Sequence, residues 1–223
     1  MVAGVAVLVV AGASAALAAG VPGAPPSHTA SLPADGRTAA TLEIVTGTRL
    51  LDVTVAKLGG TLLRASTPTS APPPKLTVKS GDVLLSATSG TSSVTVTLNE
   101  NVSWRLDFAG GTERTVADLR AATISGISFT AGSDVIDLTL PRPGAMVPVR
   151  LAGGASQFLL GVPDGVPLRI TAAGGAGEVS VDGADHTGVA GGTVFATPGW
   201  AATAAGFDIQ ATSGAARIAV TTQ

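Results

Sequence analysis

Residues 127–154 read ISFTAGSDVIDLTLPRPGAMVPVRLAGG, in which runs of alternating apolar and polar residues end at turns of small residues. Alternation with a period of two is the pattern of β-strands that bury one face. Two of the turns are Thr130-Ala131-Gly132 and Ala152-Gly153-Gly154, and each of them ends in glycine. This stretch therefore predicts short strands joined at glycine-containing bends.

The same turn recurs on both sides of this stretch. Successive turns end at Gly90, Gly111, Gly132, Gly154 and Gly175, a nearly constant interval of about 21 residues that indicates an internal repeat. Gly192 and Gly214 continue the series less evenly, because Gly192 comes early. Glycine at a repeated position supplies a positive φ or permits a close backbone approach. The spacing predicts one structural unit per interval.

A unit this short cannot bury its apolar face alone, whereas stacked units bury a continuous core. The predicted fold is therefore all-β, a β-solenoid whose glycine bends form a column. An antiparallel β-sandwich, which also has short strands separated by frequent turns, stays open as the alternative. The predicted buried residues are Val94, Val96, Leu98, Leu106, Phe108, Ile127, Phe129, Ile136, Leu138, Leu140, Val147, Val149, Leu151, Val166, Leu168 and Ile170.

The predicted solenoid domain covers residues 41–223, with a proline-rich loop at 67–74. Residues 41–67 contain further strand patterns, and we interpret them as an initial β-segment that covers the open end of the stack. The C-terminal residues Thr221-Thr222-Gln223 are too short to cover the other end. Unpaired strand edges at the ends predict that end-to-end association is possible.

The N-terminal residues 1–21 form an almost uncharged, alanine-rich run that is long enough to cross a bilayer as a helix. Two interpretations remain open: a cleaved signal peptide, with Ala16-Leu17-Ala18 as the small-residue cleavage pattern, or an uncleaved signal anchor. Residues 22–40 are rich in Pro, Ser and Ala and predict a spacer. The expected location is extracellular or at the cell envelope, with membrane contact only through the N-terminal helix.

Composition excludes several classes of protein. The 223 residues include no Cys, which removes disulfides, thiolate metal sites and cysteine nucleophiles. A net charge of −2 and a pI near 5.6 give no electrostatic signal for nucleic acid. Residues 1–79 carry six basic and three acidic residues, and residues 80–223 carry seven basic and twelve acidic ones. The later part of the chain is therefore mildly acidic.

Candidate catalytic and metal-binding residues are few. Asp182, Asp185 and His186 could form a metal loop or part of a Ser/His/Asp relay. We favour a polar turn, since neither a GxSxG elbow nor a second His outside the spacer accompanies them. The stretch 174–181, GGAGEVSV, resembles one calcium-binding nonapeptide repeat but has Val179 at the aspartate position and occurs once. We expect no metal, cofactor or catalytic residue.

The charged residues of the middle strands offer no glycosidase or lyase site. Asp134 and Asp137 lie on opposite faces of their strand, because their separation is odd. The basic residues Arg142, Arg150 and Arg169 do not follow the repeat, and we interpret them as solvating the outer face. Trp104 and Trp200 could stack on sugar rings. We favour the interpretation that each fills a bend or an end of the stack.

Residues 102–183 resemble a known family. The motifs are WRLDFAGG from Trp104, ISFTAG from Ile127, DLTLPRPG from Asp137, VRLAGGAS from Val149 and VPDGVPLRI from Val162, with Gly191-Gly192 and Trp200 after them. They are similar to the secreted "putative adhesin" domains of high-GC bacteria and, through these, to toast-rack (LiaF-type) envelope-stress domains. The resemblance implies a β-helix-like stack, export and no catalytic residues. It covers residues 100–220 well and 41–99 loosely.

Two functions from different classes follow. The first is a non-catalytic, exported cell-envelope module that acts as a surface scaffold or adhesin-like element. The second is a ligand-sensing module of an envelope-stress response that binds a cell-wall or antibiotic-like molecule. The expected partner is a cell-envelope component or a membrane protein.

Overall fold

The computed structural model describes residues 27–202 and 204–223. Strands and connecting turns make up these residues, and they contain no helix that could cross a membrane. The helix predicted at 1–21 lies outside the described residues. The 19 strands are β1 (Ser27–Pro33), β2 (Ala39–Ile44), β3 (Thr48–Ala56), β4 (Thr61–Pro68), β5 (Lys75–Lys79), β6 (Asp82–Ser86), β7 (Ser93–Asn99), β8 (Ser103–Phe108), β9 (Thr112–Asp118), β10 (Thr123–Phe129), β11 (Ser133–Thr139), β12 (Met146–Leu151), β13 (Ala155–Val162), β14 (Leu168–Ala172), β15 (Ala176–Val181), β16 (Ala184–Val189), β17 (Thr193–Ala196), β18 (Gly206–Ala211) and β19 (Ala215–Thr222).

The strands form two sheets that stack as a β-solenoid. Sheet A has the order β1-β4-β7-β3-β9-β11-β13-β19-β15-β16, and sheet B has the order β17-β14-β18-β12-β10-β8-β2-β6-β5. The seven central strands of each sheet are parallel to one another. Each of seven rungs contributes one strand to each sheet. The parallel pairing excludes the antiparallel sandwich, because a sandwich of hairpins pairs neighbouring strands antiparallel.

The rungs do not stack in chain order. The order in space is β6/β7, β2/β3, β8/β9, β10/β11, β12/β13, β18/β19 and β14/β15. The last rung of the chain is therefore inserted between the fifth rung and the β14/β15 rung. At the other end, the second rung of the chain lies outside the first.

The glycine bends form the predicted column where the chain passes from sheet B to sheet A. A β-carbon built on Gly111 would lie 3.1 Å from the carbonyl oxygen of Gly132, and one on Gly132 would lie 3.1 Å from that of Gly153. One correction concerns the order: Gly214 stands between Gly154 and the Gly174-Gly175 bend, 3.3 Å from a β-carbon on Gly154. Gly90 is outside this close packing, since a β-carbon there would meet nothing within 4 Å.

The interior is a single core between the two sheets. All sixteen residues predicted to be buried are buried. The few aromatic residues stack from rung to rung: the rings of Phe108 and Phe129 are parallel with centroids 4.3 Å apart, and Phe158 meets Phe129 edge-on at 6.3 Å. The narrow space between the sheets is filled mainly by Leu, Val and Ile.

Antiparallel strands terminate both ends of the stack. At the near end, β4 and β1 continue sheet A and β5 continues sheet B. At the far end, β16 follows β15 in sheet A and β17 follows β14 in sheet B. The prediction that residues 41–67 cover an open end was wrong for β2 and β3, which form an internal rung. The C-terminal strand β19 is also internal, so the end it was expected to leave uncovered is formed by β16 and β17.

The spacer predicted at 22–40 is also corrected. Strand β1 occupies Ser27–Pro33 and pairs with β4, and β2 begins at Ala39. Leu32 points into the core and is 3% exposed, which explains why this polar segment is held as a strand. The solenoid domain therefore includes residues before 41. The predicted proline-rich loop does connect β4 to β5, and the Oγ1 of buried Thr67 donates to the Pro72 carbonyl at 2.9 Å.

Candidate functional site at the far end of the stack

The far end of the stack contains a recess between the two sheets. Its volume is about 440 Å³, and its walls come from the β14/β15 rung, from β16 and β17, and from the turn after β17. The lining is more apolar than polar: Leu168, Val181, Phe195 and Pro198 contribute to it together with Asp182, His186 and Thr197. Because β16 is exposed along nearly its whole length, this recess is open to solvent.

His186 and Phe195 face each other across the recess. His186 is directly opposite buried Val179 in its ladder, and Phe195 is opposite buried Ile170. Residues directly opposite in an antiparallel pair lie on the same face, so both rings point inward. Their centroids are 4.9 Å apart, with planes tilted by 40°. The two rings form the outermost layer of the space between the sheets.

The metal-loop interpretation of Asp182, Asp185 and His186 gives way to a hairpin turn. Val181 pairs with Ala184, and Asp182 and Gly183 between them have φ of 49° and 82°. A two-residue turn with both φ positive is the type I′ geometry that Asp-Gly favours. The Asp182 carboxylate accepts a hydrogen bond from the Thr222 backbone N–H at 2.9 Å. Residues 27–202 and 204–223 contain no cluster of three metal-ligating side chains.

The calcium-like stretch 174–181 is also structural. Gly174 and Gly175 form the bend between β14 and β15, with φ of 78° at Gly175, and β15 follows directly. Glu178, within the strand, forms an ion pair with Arg217 at 3.3 Å.

Beside the recess, Trp200 lies over an ion pair on the outer face of sheet B. The guanidinium carbon of Arg169 is 5.2 Å from the centroid of the Trp200 ring. Arg169 donates Nε to Oδ1 of Asp208 at 3.0 Å and Nη2 to Oδ2 at 2.9 Å, which raises the pKa of Arg169. Gln210 donates to the same carboxylate at 3.0 Å. A planar side chain is thus held beneath a half-buried indole ring, an arrangement suited to stacking a further flat group.

The other candidates have structural roles. Trp104 is fully buried, and its Nε1 donates to the carbonyl of Asn99 at 3.0 Å, which confirms its place at a bend. Asp137 pairs with Arg114 at 3.3 Å on the outer face of sheet A. Arg142 donates to the Asp164 carbonyl at 2.9 Å, and Arg150 is exposed.

Sequence reasoning missed Phe195, Val194 and the Arg169–Asp208 pair. Val194 is 54% exposed, the largest exposure among the large apolar side chains described. The sequence did contain a signal: the adjacent apolar residues Val194 and Phe195, between Gly192 and Pro198, are typical of a short strand. The partners Arg169 and Asp208 are 39 residues apart and carry no periodic signal.

The fold and this site define the class of protein: an all-β, two-sheet solenoid with a recess at one end. The same fold occurs in a "putative cell adhesion protein" from Clostridium sporogenes ATCC 15579, with a TM-score of 0.62 and 19% identity over 88% of this chain and 100% of that chain. A "putative adhesin" from Bacteroides fragilis NCTC 9343 aligns over 88% of this chain and 98% of that chain at 11% identity, with a TM-score of 0.34. No protein-family model matches the chain, and no curated protein is significantly similar to it.

Proposed function

We propose that this chain is a non-catalytic, exported module of the cell envelope that acts as a surface scaffold or adhesin-like element. The observation that carries the proposal is the far end, where a closed stack opens into an apolar recess flanked by exposed strands. The Clostridium sporogenes protein has the same fold along its whole length. Its name, "putative cell adhesion protein", supports the proposal.

The architecture suits a rigid surface element. Seven rungs at the ~4.8 Å strand spacing give a stack about 30 Å long. Each rung is hydrogen-bonded to the next in both sheets, and one continuous core lies between the sheets. A stack of this kind presents its end at a fixed distance from the opposite end, which is what a spacer or adhesive module requires.

The test is adhesion of beads coated with the full chain to cell-envelope preparations and to host-cell surfaces. We expect Val194→Asp to reduce adhesion, because it places a charge at the rim of the recess. The matched control is Leu50→Asp: Leu50 is 38% exposed on the outer face of sheet A, remote from the far end. Equal adhesion by coated and uncoated beads contradicts the function. Equal adhesion by Val194→Asp and the unmodified chain contradicts the site.

Export has its own test. Expression of the full chain in a bacterial host followed by cell fractionation and N-terminal sequencing gives its location and any cleavage after residues 16–18. Recovery of the uncleaved chain in the cytoplasm alone contradicts export.

A second function, ligand sensing in an envelope-stress response, is favoured by the 440 Å³ recess and the adjacent Trp200 ring. A recess of this size falls in the range of small-molecule sites. Binding on a glycan array that is lost in Trp200→Ala supports sensing through this site. Unchanged binding in Trp200→Ala removes the Trp200 ring from the site.

A further inference from the structure

Each end of the stack presents two strands with an unpaired edge within the described residues. Sheet A ends in β1 at the near end and β16 at the far end, and sheet B ends in β5 and β17. Such edges are templates for pairing with another chain. What pairs there depends on strand direction, length, side chains and charge.

Strand directions and lengths at the two ends are compatible. Following the ladders through sheet A, β1 and β16 run in opposite directions, so a far end placed on a near end would pair them antiparallel. The corresponding strands of sheet B, β5 and β17, run in the same direction. The lengths are seven and six residues in sheet A, and five and four in sheet B.

In each sheet a row of paired residues reaches from the far-end edge strand to the near-end edge strand. In sheet A one row of paired residues runs from Asp185 to Thr29, through Ser180, Ala219, Leu159, Asp137, Val116, Asp52, Thr95 and Ser66. In sheet B one row runs from Val194 to Thr77, through Thr171, Gln210, Arg150, Ser128, Asp107, Glu43 and Leu84. If a second copy stacked along these rows, its Thr29 would lie beside Asp185 of the first copy, and its Thr77 beside Val194 of the first copy.

These two neighbours suit each other chemically. The Thr29 hydroxyl can donate to the Asp185 carboxylate, and both residues are exposed. The Thr77–Val194 pair brings two β-branched side chains together, a favourable cross-strand pair. It would also cover the most exposed large apolar side chain among those described, Val194.

The two ends carry opposite charge. The near-end segments 27–38 and 57–82 contain five basic and two acidic residues, and Lys75 and Lys79 are exposed on β5. The far-end segment 176–199 contains three acidic residues and neither Lys nor Arg. Edge lysines oppose pairing of one near end with another, because like charges would meet. They do not oppose the far end, whose edge strands β16 and β17 carry no Lys or Arg.

We propose that the occupant of the far end is the near end of a second copy, so that both sheets continue from one molecule to the next. The contact is head-to-tail, and an interface of this type does not close on itself. The product is a filament that grows with concentration. The contact uses the end that carries the proposed adhesion site, and the bead assay on the near-end variant separates the two.

The experiment is sedimentation velocity of the exported chain over a range of concentrations at low and high salt. We expect the weight-average sedimentation coefficient to rise steadily with concentration, and to rise less at high salt because exposed charges are screened. A monomer at all concentrations overturns the proposal. A discrete dimer that grows no further also overturns it.

Two charge-reversal variants make the test specific. Lys75→Glu with Lys79→Glu reverses the sign of the near end, and Asp185→Lys with Thr187→Lys and Ala196→Lys reverses that of the far end. Each variant alone should sediment as a monomer, because both of its ends then have the same sign. An equimolar mixture should assemble again, because each altered end meets an oppositely charged partner.

The mixture also controls for misfolding, because misfolded variants would not restore each other. Assembly of either variant alone to the same extent as the unmodified chain would locate the contact elsewhere and overturn the proposal. The proposal would also be overturned if both variants were monomers and did not assemble when mixed, although each unfolded at the same temperature as the unmodified chain. The near-end variant leaves the far-end recess intact, so bead adhesion measured on it separates failure of assembly from failure of the proposed function.

Discussion

Gly153 approaches the backbone of Ala131 so closely that a β-carbon on Gly153 would lie 2.0 Å from the Ala131 carbonyl oxygen. The two residues belong to bends of successive rungs, and their contact is backbone against backbone. The same relationship holds between Gly110 and Thr46, where a β-carbon would lie 2.3 Å from the carbonyl carbon. Glycine at these bends therefore sets how closely one rung can lie on the next.

Gly153→Ala should destabilise the fold strongly, because the added methyl group meets main-chain atoms that cannot move without separating two rungs. Overpacking of this kind costs about 1–3 kcal/mol, and more when the backbone must shift. The free energy of unfolding, from urea denaturation, measures it. Gly144→Ala is the matched control, since its β-carbon would meet nothing within 4 Å and we expect little change. Equal stability of the two variants would show that the bends are not in contact.

The regular spacing of the bend glycines was predictable from the sequence, because the same steric requirement recurs in successive rungs. Inward and outward positions were predictable for the same reason: alternation along a strand determines which side chains face the core. Leu138, Val149 and Ile170 were each placed correctly on this basis alone.

The order of the rungs was not predictable, because the apolar face of one rung can pack against the apolar face of any other rung. Nothing in the alternation of β19 distinguishes its observed place between β13 and β15 from a place beyond β15. What determines its position is the path of the chain through β16, β17 and the loop after Pro198. That path is a property of the whole fold.

The far-end site escaped prediction because its strands lack a buried face. Strand β16 is exposed from Ala184 to Gly188, so its residues show no apolar alternation. Strand β1 was missed in the same way, since Leu32 is its one fully buried residue. Pairing with a neighbouring strand holds both segments, and in β1 the single buried side chain of Leu32 adds to it.

Trp104→Phe should destabilise the near end of the stack. The change removes the Nε1 donor from the Asn99 carbonyl and leaves a void beside a fully buried ring. An unpaired buried acceptor costs about 1–3 kcal/mol. Asn99 also donates to the carbonyls of Gly59 and Thr61, so the loss should spread to the turn before β4.

Hydrogen exchange and urea denaturation measure this effect. Trp200→Phe is the control, because Trp200 is only half-buried and donates no hydrogen bond through its ring among those observed in the described residues. A larger loss of stability in Trp200→Phe than in Trp104→Phe would contradict the assignment.

The turn between β15 and β16 should depend on Gly183. Its φ of 82° lies in the left-handed region, where a β-carbon is strained even though the surrounding space is open. We expect Gly183→Ala to cost about 1 kcal/mol in the free energy of unfolding. Gly60→Ala provides the comparison, since that position has open space without a positive φ. A neutral Gly183→Ala would argue against the type I′ turn.

Asp118 should titrate at lower pH than an ordinary aspartate. Hydrogen bonding from the side chain of Arg120, whose Nε lies 2.9 Å from Oδ1, holds the pKa of Asp118 below its ordinary value. The ionised form is therefore favoured in the folded protein. The resulting stabilisation is present above about pH 4 and is lost as pH falls through the folded pKa.

Carboxyl NMR titration measures this pKa directly. In Arg120→Gln the pKa of Asp118 should move back up, because the hydrogen bond from the guanidinium is lost. The effect on stability should be small, because the pair is exposed and screened by solvent. No upward movement in Arg120→Gln would contradict the assigned cause.

The central claim is that the last rung of the chain is inserted between two earlier ones, and disulfide formation tests it most directly. The protein has no Cys, so a pair of introduced cysteines has no competitor. Gln157 on β13 and Glu178 on β15 both pair with Arg217 on β19, which lies between them. Adjacent strands bring α-carbons within disulfide range, and strands separated by a third do not.

We predict that the Gln157→Cys/Arg217→Cys variant forms a disulfide on mild oxidation of the native protein, and that Gln157→Cys/Glu178→Cys does not. The reverse result, a disulfide in the second pair and none in the first, would mean that the rungs stack in chain order and would contradict the account.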